Sequence, residues 1–223
     1  MHSKLVQKWT PQLAYAVGLI VTDGCLSSDG RHIIFTSKDI DLIQIFAQIL
    51  NLKNKIGETR NPRSRAYRIQ FGNISLYRWF LDIGITPHKS LTIEKVAVPR
   101  KYFLDFLRGH LDGDGSITTY TDTYNTYKNP RYIYTRLFLR FNSGSLAHIK
   151  WLQKTIIKIS TISGRIHTTK PNAVGNSMHI LKFGKKDSIK MLKTIYYAPN
   201  LPCLARKRKI AEMFLQPYYD FGK

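Results

Sequence analysis

Apolar positions along the chain switch repeatedly between helical and strand spacing. "TPQLAYAVGLIVTD" is a long apolar run, with Thr10 placed to cap a helix and Pro11 at its first position. It breaks off at Asp23, where Gly24 is a candidate left-handed C′ residue. "RHIIFTS" alternates, with Ile33 and Phe35 on one face and His32, Ile34 and Thr36 on the other, the pattern of a half-buried strand. "DIDLIQIFAQIL" returns to helical spacing behind Asp39, a candidate N-cap. "NKIGETR" and "AYRIQFG" predict a second strand pair across the turn "NPRSR", and "ISLYRWFLDIGI" closes the unit as a helix.

The same order is then written again. Set Asp23 over Asp114, an offset of 91, and Leu13 meets Leu104, Gly18 meets Gly109 and Gly24 meets Gly115. "FTSKDIDLI" resembles "FNSGSLAHI" at an offset of 106, and "YRIQFGN" resembles "HILKFGK" at 112. The pieces keep their order while the gaps grow, which indicates a duplicated domain; solenoid units are much shorter. The expected fold is α+β: two pseudo-symmetric αββαββα repeats whose antiparallel sheets form a saddle, with helices on the other face. Residues 1–90 make the first repeat, "TPHKSLTIEKVAV" (86–98) the linker, and residues 99–223 the second repeat. In the second repeat "TTYTDTYNTYKNPRYIYTR" predicts a long hairpin.

Strand parity sharpens the picture. In "AYRIQFG", Tyr67, Ile69 and Phe71 share one face, and Arg68 and Gln70 the other. In "RLFLRFN", Leu137, Leu139 and Phe141 point inward while Arg136, Arg140 and Asn142 point outward. Solvation alone does not select one sign of charge, and here the outward polar residues are rarely acidic. Composition agrees: among 223 residues, 35 Lys and Arg face 14 Asp and Glu, a formal charge of +21. With 43% hydrophobic residues the chain can bury a core, so the excess reads as a folded surface meeting a polyanion, most often nucleic acid. Cys25 and Cys203 lack metal-ligand spacing, which fits a reducing compartment. No signal peptide or transmembrane run is evident, and the expectation is a soluble intracellular protein with no membrane partner.

The two Asp-Gly endings call for a reason. A helix C-terminus carries about half a negative charge and disfavours a carboxylate. Placing Asp there twice, at equivalent points of a repeat, answers a demand other than stability. Gly18 and Gly109 permit two helices to approach closely, which would bring Asp23 and Asp114 side by side. Carboxylates about 5 Å apart repel by roughly 3 kcal/mol at an effective dielectric near 20. Divalent cations reverse that sign, and the carbonyls of Thr22 and Gly113 are further hard oxygen ligands of the kind Mg²⁺ accepts. Two such ions can activate water and stabilise both oxygens of a phosphodiester displacement. "LDGDGSI" is not an EF-hand, since His110 and Thr121 would occupy its acidic positions one and twelve.

With the motifs "AVGLIVTDG" (16–24) and "LRGHLDGDG" (107–115), the chain resembles the LAGLIDADG homing endonucleases over nearly its whole length. The resemblance implies a monomer that binds a long asymmetric site in double-stranded DNA, without a protein partner, and makes a staggered double-strand cut. It implies Asp23 and Asp114 as catalytic metal ligands, Mg²⁺ as cofactor, Mn²⁺ as a substitute, and Ca²⁺ as an ion that binds without supporting cleavage. The water-ordering basic residue matches Lys186 best, with Lys185 beside it. The first half has Asn73 and Ile74 there, and Ser37 and Ser143 stand where the family often has Gln or Asn; both departures allow unequal cutting of the strands. By parity Arg31, Arg68, Gln70, Arg136 and Arg140 are candidate base readers. Arg60, Arg63, Arg65, Arg131, Lys182 and the "RKRK" run (206–209) are further DNA contacts. An intron maturase and a non-cutting DNA-binding regulator are the competing readings on the same scaffold. The length and initial Met favour an intron-encoded protein.

Overall fold

The computed structural model describes residues 7–61 and 64–215. Helix α1 (Pro11–Asp23) leads into β1 (Gly24–Leu26) and β2 (His32–Ser37), then α2 (Ile40–Ile49), β3 (Gly57–Asn61), β4 (Ser64–Gly72) and α3 (Ile74–Asp82). After a 3-10 turn at Arg100–Tyr102 the order repeats as α4 (Phe103–Asp112), β5 (Ser116–Asp122), β6 (Tyr134–Ser143), α5 (Leu146–Ser160), β7 (Arg165–Thr168), β8 (His179–Phe183) and α6 (Lys185–Ile195). One more helix, α7 (Ala205–Leu215), follows.

The two sheets share one topology, β1-β2-β4-β3 and β5-β6-β8-β7, and every pairing is antiparallel. The sequence offsets mark equivalent register positions: Phe35 pairs with Ile69 in one sheet, and Phe141 with Leu181 in the other. All four side chains are fully buried. The inner faces pack on α2 in the first repeat and on α5 and α6 in the second, within one continuous apolar core.

Helices α1 and α4 join the repeats, and they touch backbone to backbone. A Cβ on Gly109 would lie 2.1 Å from the Tyr15 carbonyl oxygen, and one on Gly18 would lie 2.2 Å from that of Phe106. Any larger residue at either crossing forces the helices apart. Thr10 caps α1 as expected, its hydroxyl accepting from the Leu13 amide at 3.0 Å.

Two local expectations change. Gly24 is extended (φ −86°, ψ 156°) instead of left-handed. It is needed for space, since a Cβ there would meet Ile20 backbone atoms at 2.6 Å; Gly115 stands likewise against Leu111 at 2.7 Å. Asp39 makes no side-chain cap on α2; its carboxylate instead accepts two bonds from Arg206, at 2.9 and 2.8 Å. The 86–98 linker packs onto the fold: Lys89, Ile93 and Val96 are buried, and the Glu94 carbonyl bonds the His148 ring at 2.6 Å. Among the described residues no helix is long and apolar enough to cross a membrane.

Candidate active site and nucleic-acid face

Because α1 and α4 cross at their glycines, their carboxyl ends arrive together. Gly113 lies against Thr22 and Asp23, so closely that a Cβ on it would meet Asp23 Oδ2 at 2.7 Å. Asp23 is half-buried and Asp114 is more exposed. Packed protein raises both carboxyl groups above the ordinary range. Asp23 is pushed up to about 7, first by burial and then by the Asp114 charge, while Lys207 and Lys89 pull it down. Asp114 is raised by burial against the same two lysines. Among the described residues no salt bridge closes on either carboxylate. The Asp23 side chain has one long bond, from the Thr22 hydroxyl at 3.5 Å. A cavity of about 290 Å³ opens beside the pair, lined in part by Thr22, Asp114, Ser90, Ser143 and Lys170.

The second motif carries two aspartates, and the fold separates their roles. Asp112 is buried, with Oδ2 accepting from the Tyr15 hydroxyl and the Leu204 amide, each at 2.8 Å. It ties α1 and the entry to α7 onto α4. Asp114 alone is left free to face a ligand.

The lysines beside the carboxylates are Lys89, which the sequence does not mark, and Lys207, which it places in a DNA-contacting basic run. Lys89 donates to the Gly24 carbonyl. Lys207 donates to the carbonyls of Leu111, Asp112, Gly113 and Gly115 at 2.6, 2.8, 3.2 and 2.7 Å. The arrangement repeats across the duplication: in each half, a lysine from beyond the closing helix seizes the carbonyl of the motif glycine. Both ammonium groups are buried, and burial lowers their proton affinity, Lys207 to about 8. A fixed cation at a helix C-terminus satisfies orphan carbonyls and complements the dipole. One legible signal existed: the inward stripe of α7 reads Lys207, Ala211, Leu215, a lysine at a core position.

Lys185 and Lys186 open α6 and are exposed, and neither figures among the charges acting on Asp23 or Asp114. The Gly113 carbonyl, a candidate metal ligand, is already engaged by Lys207. The Thr22 hydroxyl bonds back to Leu19 at 2.9 Å, and Thr22 sits in the cleft wall. Of the "RKRK" run only Lys207 is buried: Arg206 is exposed and pairs with Asp39, Arg208 is half-buried and bonds Glu212 at 2.8 Å, and Lys209 is exposed.

Four of the five candidate readers, Arg68, Gln70, Arg136 and Arg140, lie on strands opposite the buried side chains. Arg68 and Gln70 lie side by side on β4, linked by a 2.5 Å bond. On the second sheet Arg140 bonds Thr118 at 2.8 Å, and Arg140 and Lys182 flank the Phe138 ring, with Lys182 Nζ 4.0 Å from its centroid. Arg136 pairs with Asp122 at 2.7 Å, and Arg65 pairs with Glu58. Arg31 sits in the turn before β2 instead of on a strand, and Arg131 in the β5–β6 connection. Arg60 belongs to β3, and Arg63 lies outside the described residues.

Twin αββαββα units joined by glycine-crossed helices that end in aspartate are the LAGLIDADG two-repeat fold. Solved structures with this fold include the full-length DUF199/WhiA protein from Thermatoga maritima (17% identity, TM-score 0.55). That match covers 99% of this chain, which spans 66% of the WhiA chain. Others are the LAGLIDADG meganuclease I-AabMI bound to uncleaved DNA (13% identity, 94% and 90% coverage, TM-score 0.61) and variants of the homing endonuclease I-DmoI (19% identity, 89% and 97% coverage, TM-score 0.56). No family model and no curated protein sequence matches the chain.

Proposed function

We propose that this protein is a site-specific DNA endonuclease that cuts both strands of a long asymmetric duplex with divalent metal ions. The observation that carries the reading is the aspartate pair: two unbridged carboxylates at twin helix ends, held against their own repulsion, on a chain of charge +21. Pure binding has no use for carboxylates aimed at a phosphate backbone. DNA bound to homologously folded meganucleases such as I-AabMI supports the partner.

The donor set fits Mg²⁺. Hard oxygens from Asp23 and Asp114 are present, and among the described residues no cluster of three His, Cys, Asp or Glu forms an all-protein cage. Mg²⁺ typically takes one or two carboxylates and leaves the rest of its shell to water and substrate phosphate. When bound, such ions supply Lewis-acid stabilisation and an activated water. The chain's own residues do the rest. Lys89 and Lys207 partly offset the pair's charge, so that both aspartates can ionise as a ligand arrives. Their protons are committed to backbone carbonyls, which makes them clamps on the two motif ends. Arg68, Gln70, Arg140 and Lys182 present donors to the duplex from the outer faces. Both carboxylates come from one chain, and no second copy is needed to complete the pair.

The test is selection of bound duplexes from a randomised library, followed by incubation of plasmids carrying the winner with Mg²⁺. Linear product is expected from the native chain, and none from Asp23→Asn/Asp114→Asn, which should still bind. Affinity should fall steeply with salt, since each neutralised phosphate adds about 0.9 to the log–log slope. Selective binding without cutting in Mg²⁺ or Mn²⁺ would instead identify a DNA-binding regulator.

A further inference from the structure

The two repeats differ at both hairpins, and most in the length of the first. In the first repeat β1 has three residues and β2 six; in the second their counterparts β5 and β6 have seven and ten. The connection grows as well, from residues 27–31 to residues 123–133. Four extra residues on the outgoing strand extend it by about 13 Å, close to four base-pair rises of about 3.4 Å. The connection then reaches further still.

That arm is built, with its own bonds. The Tyr124 amide donates to the Asp122 carboxylate at 3.0 Å, the Lys128 amide to the Asn125 carbonyl at 3.0 Å, and the Tyr132 amide to the Asn129 carbonyl at 2.9 Å. Its tip exposes aromatic rings: Tyr124 is 80% and Tyr127 73% exposed. Lys128 lies 5.5 Å from the Tyr127 ring centroid, and Tyr132 stacks on Tyr134, over which Arg136 sits. Asp122 is the one acid from Ser116 to Ser143, and Arg136 pairs with it. The arm therefore offers ammonium, guanidinium and phenol donors with no free carboxylate. It continues the strand face that carries Arg140 and Lys182.

We propose that residues 123–133 form a one-sided arm that lies along the DNA duplex flanking the cut site and lengthens the footprint on the second repeat's side only. Lys128 and Arg131 meet phosphates, the tyrosine hydroxyls donate to the same backbone, and the rings cover sugar surface. The inference rests on the endonuclease reading for its partner, and on the strand asymmetry for its geometry.

The test uses the full chain and a duplex recovered from the randomised library, footprinted by hydroxyl radicals. Protection should extend at least about four base pairs further from the centre on one side than on the other. A variant with residues 123–133 replaced by Asn-Gly, which closes the Asp122–Tyr134 pair as a tight hairpin, should lose that excess protection and bind the full duplex about tenfold more weakly. Trimming the flank should then cost this variant less than twofold (about 0.4 kcal/mol). Lys128→Gln/Arg131→Gln keeps the hairpin and should reduce the salt slope by about 2. Equal protection on both sides, or a footprint unchanged by both variants, overturns the proposal while leaving the endonuclease reading intact. Recovery of no duplex overturns both. A deficit of the arm variants seen only on unpaired RNA would assign the arm to RNA and overturn it also.

Discussion

Asp23→Asn isolates the cost of building the carboxylate pair. The Asp23 carboxyl is raised from an ordinary 3.8 to about 7, so the folded chain binds that proton more tightly than the unfolded chain does. The associated stability is therefore complete below about pH 4 and is lost as pH rises through 7. At 1.36 kcal/mol per unit the ceiling is about 4 kcal/mol; partial solvent access and screening reduce the expectation to about 1–2 kcal/mol. Asparagine resembles the protonated acid and carries no charge at any pH. In EDTA at pH 8 the variant should be more stable than the native chain by that amount, a rise in melting temperature of about 5 °C for a protein of this size. At pH 3 the carboxyl is protonated in the folded and the unfolded chain alike, and the two curves should nearly coincide. Thermal unfolding followed by circular dichroism at both values gives the answer. A variant no more stable than the native chain at pH 8, or one equally shifted at both pH values, would refute the claim that Asp23 is held in an unfavourable charged state.

Divalent-ion affinity should rise with pH up to about 7 and then level off, with proton release on binding, because Asp23 must ionise first; calorimetry in buffers of different ionisation enthalpy measures it. Lys207→Met should cost about 2 kcal/mol, since four carbonyls lose their buried donor. It should also move the pH midpoint of ion binding upward, because the Lys207 charge favours ionised Asp23. Gly109→Ala should destabilise by about 3 kcal/mol or prevent folding, while Gly57→Ala, whose Cβ has its nearest neighbour at 3.8 Å, should stay within about 0.5 kcal/mol. Arg206→Ala removes an exposed ion pair with Asp39 and should cost no more than about 1 kcal/mol in chemical denaturation.

The duplication was legible because it repeats in register: the offsets at Phe35 and Tyr67 recur as equivalent strand positions. Helix caps were legible only where chemistry is local. Thr10 reaches its own helix, whereas Asp39 is claimed by Arg206, 167 residues away. Gly24, by its position after a helix, predicts a left-handed cap, yet its constraint is steric, from Ile20, and a local pattern does not carry that information. Linker composition concealed Lys89 in the same way. Its ammonium becomes part of the site only when the segment folds under Gly24, and polarity alone marks such a residue as solvated. Lys207 was hidden inside a basic run that reads as a phosphate-binding tail, although its spacing with Ala211 and Leu215 gives it an inward position.

The central claim is that Asp23 and Asp114 jointly hold divalent ions. It is tested most directly by titrating Mn²⁺ against the protein bound to a selected duplex with uncleavable linkages at its centre, followed by electron paramagnetic resonance of the free ion. Saturable binding by the native chain, weakened by either single Asn substitution and abolished by Asp23→Asn/Asp114→Asn, is the predicted result. Equal Mn²⁺ uptake by the native and doubly substituted chains on the same duplex would contradict it.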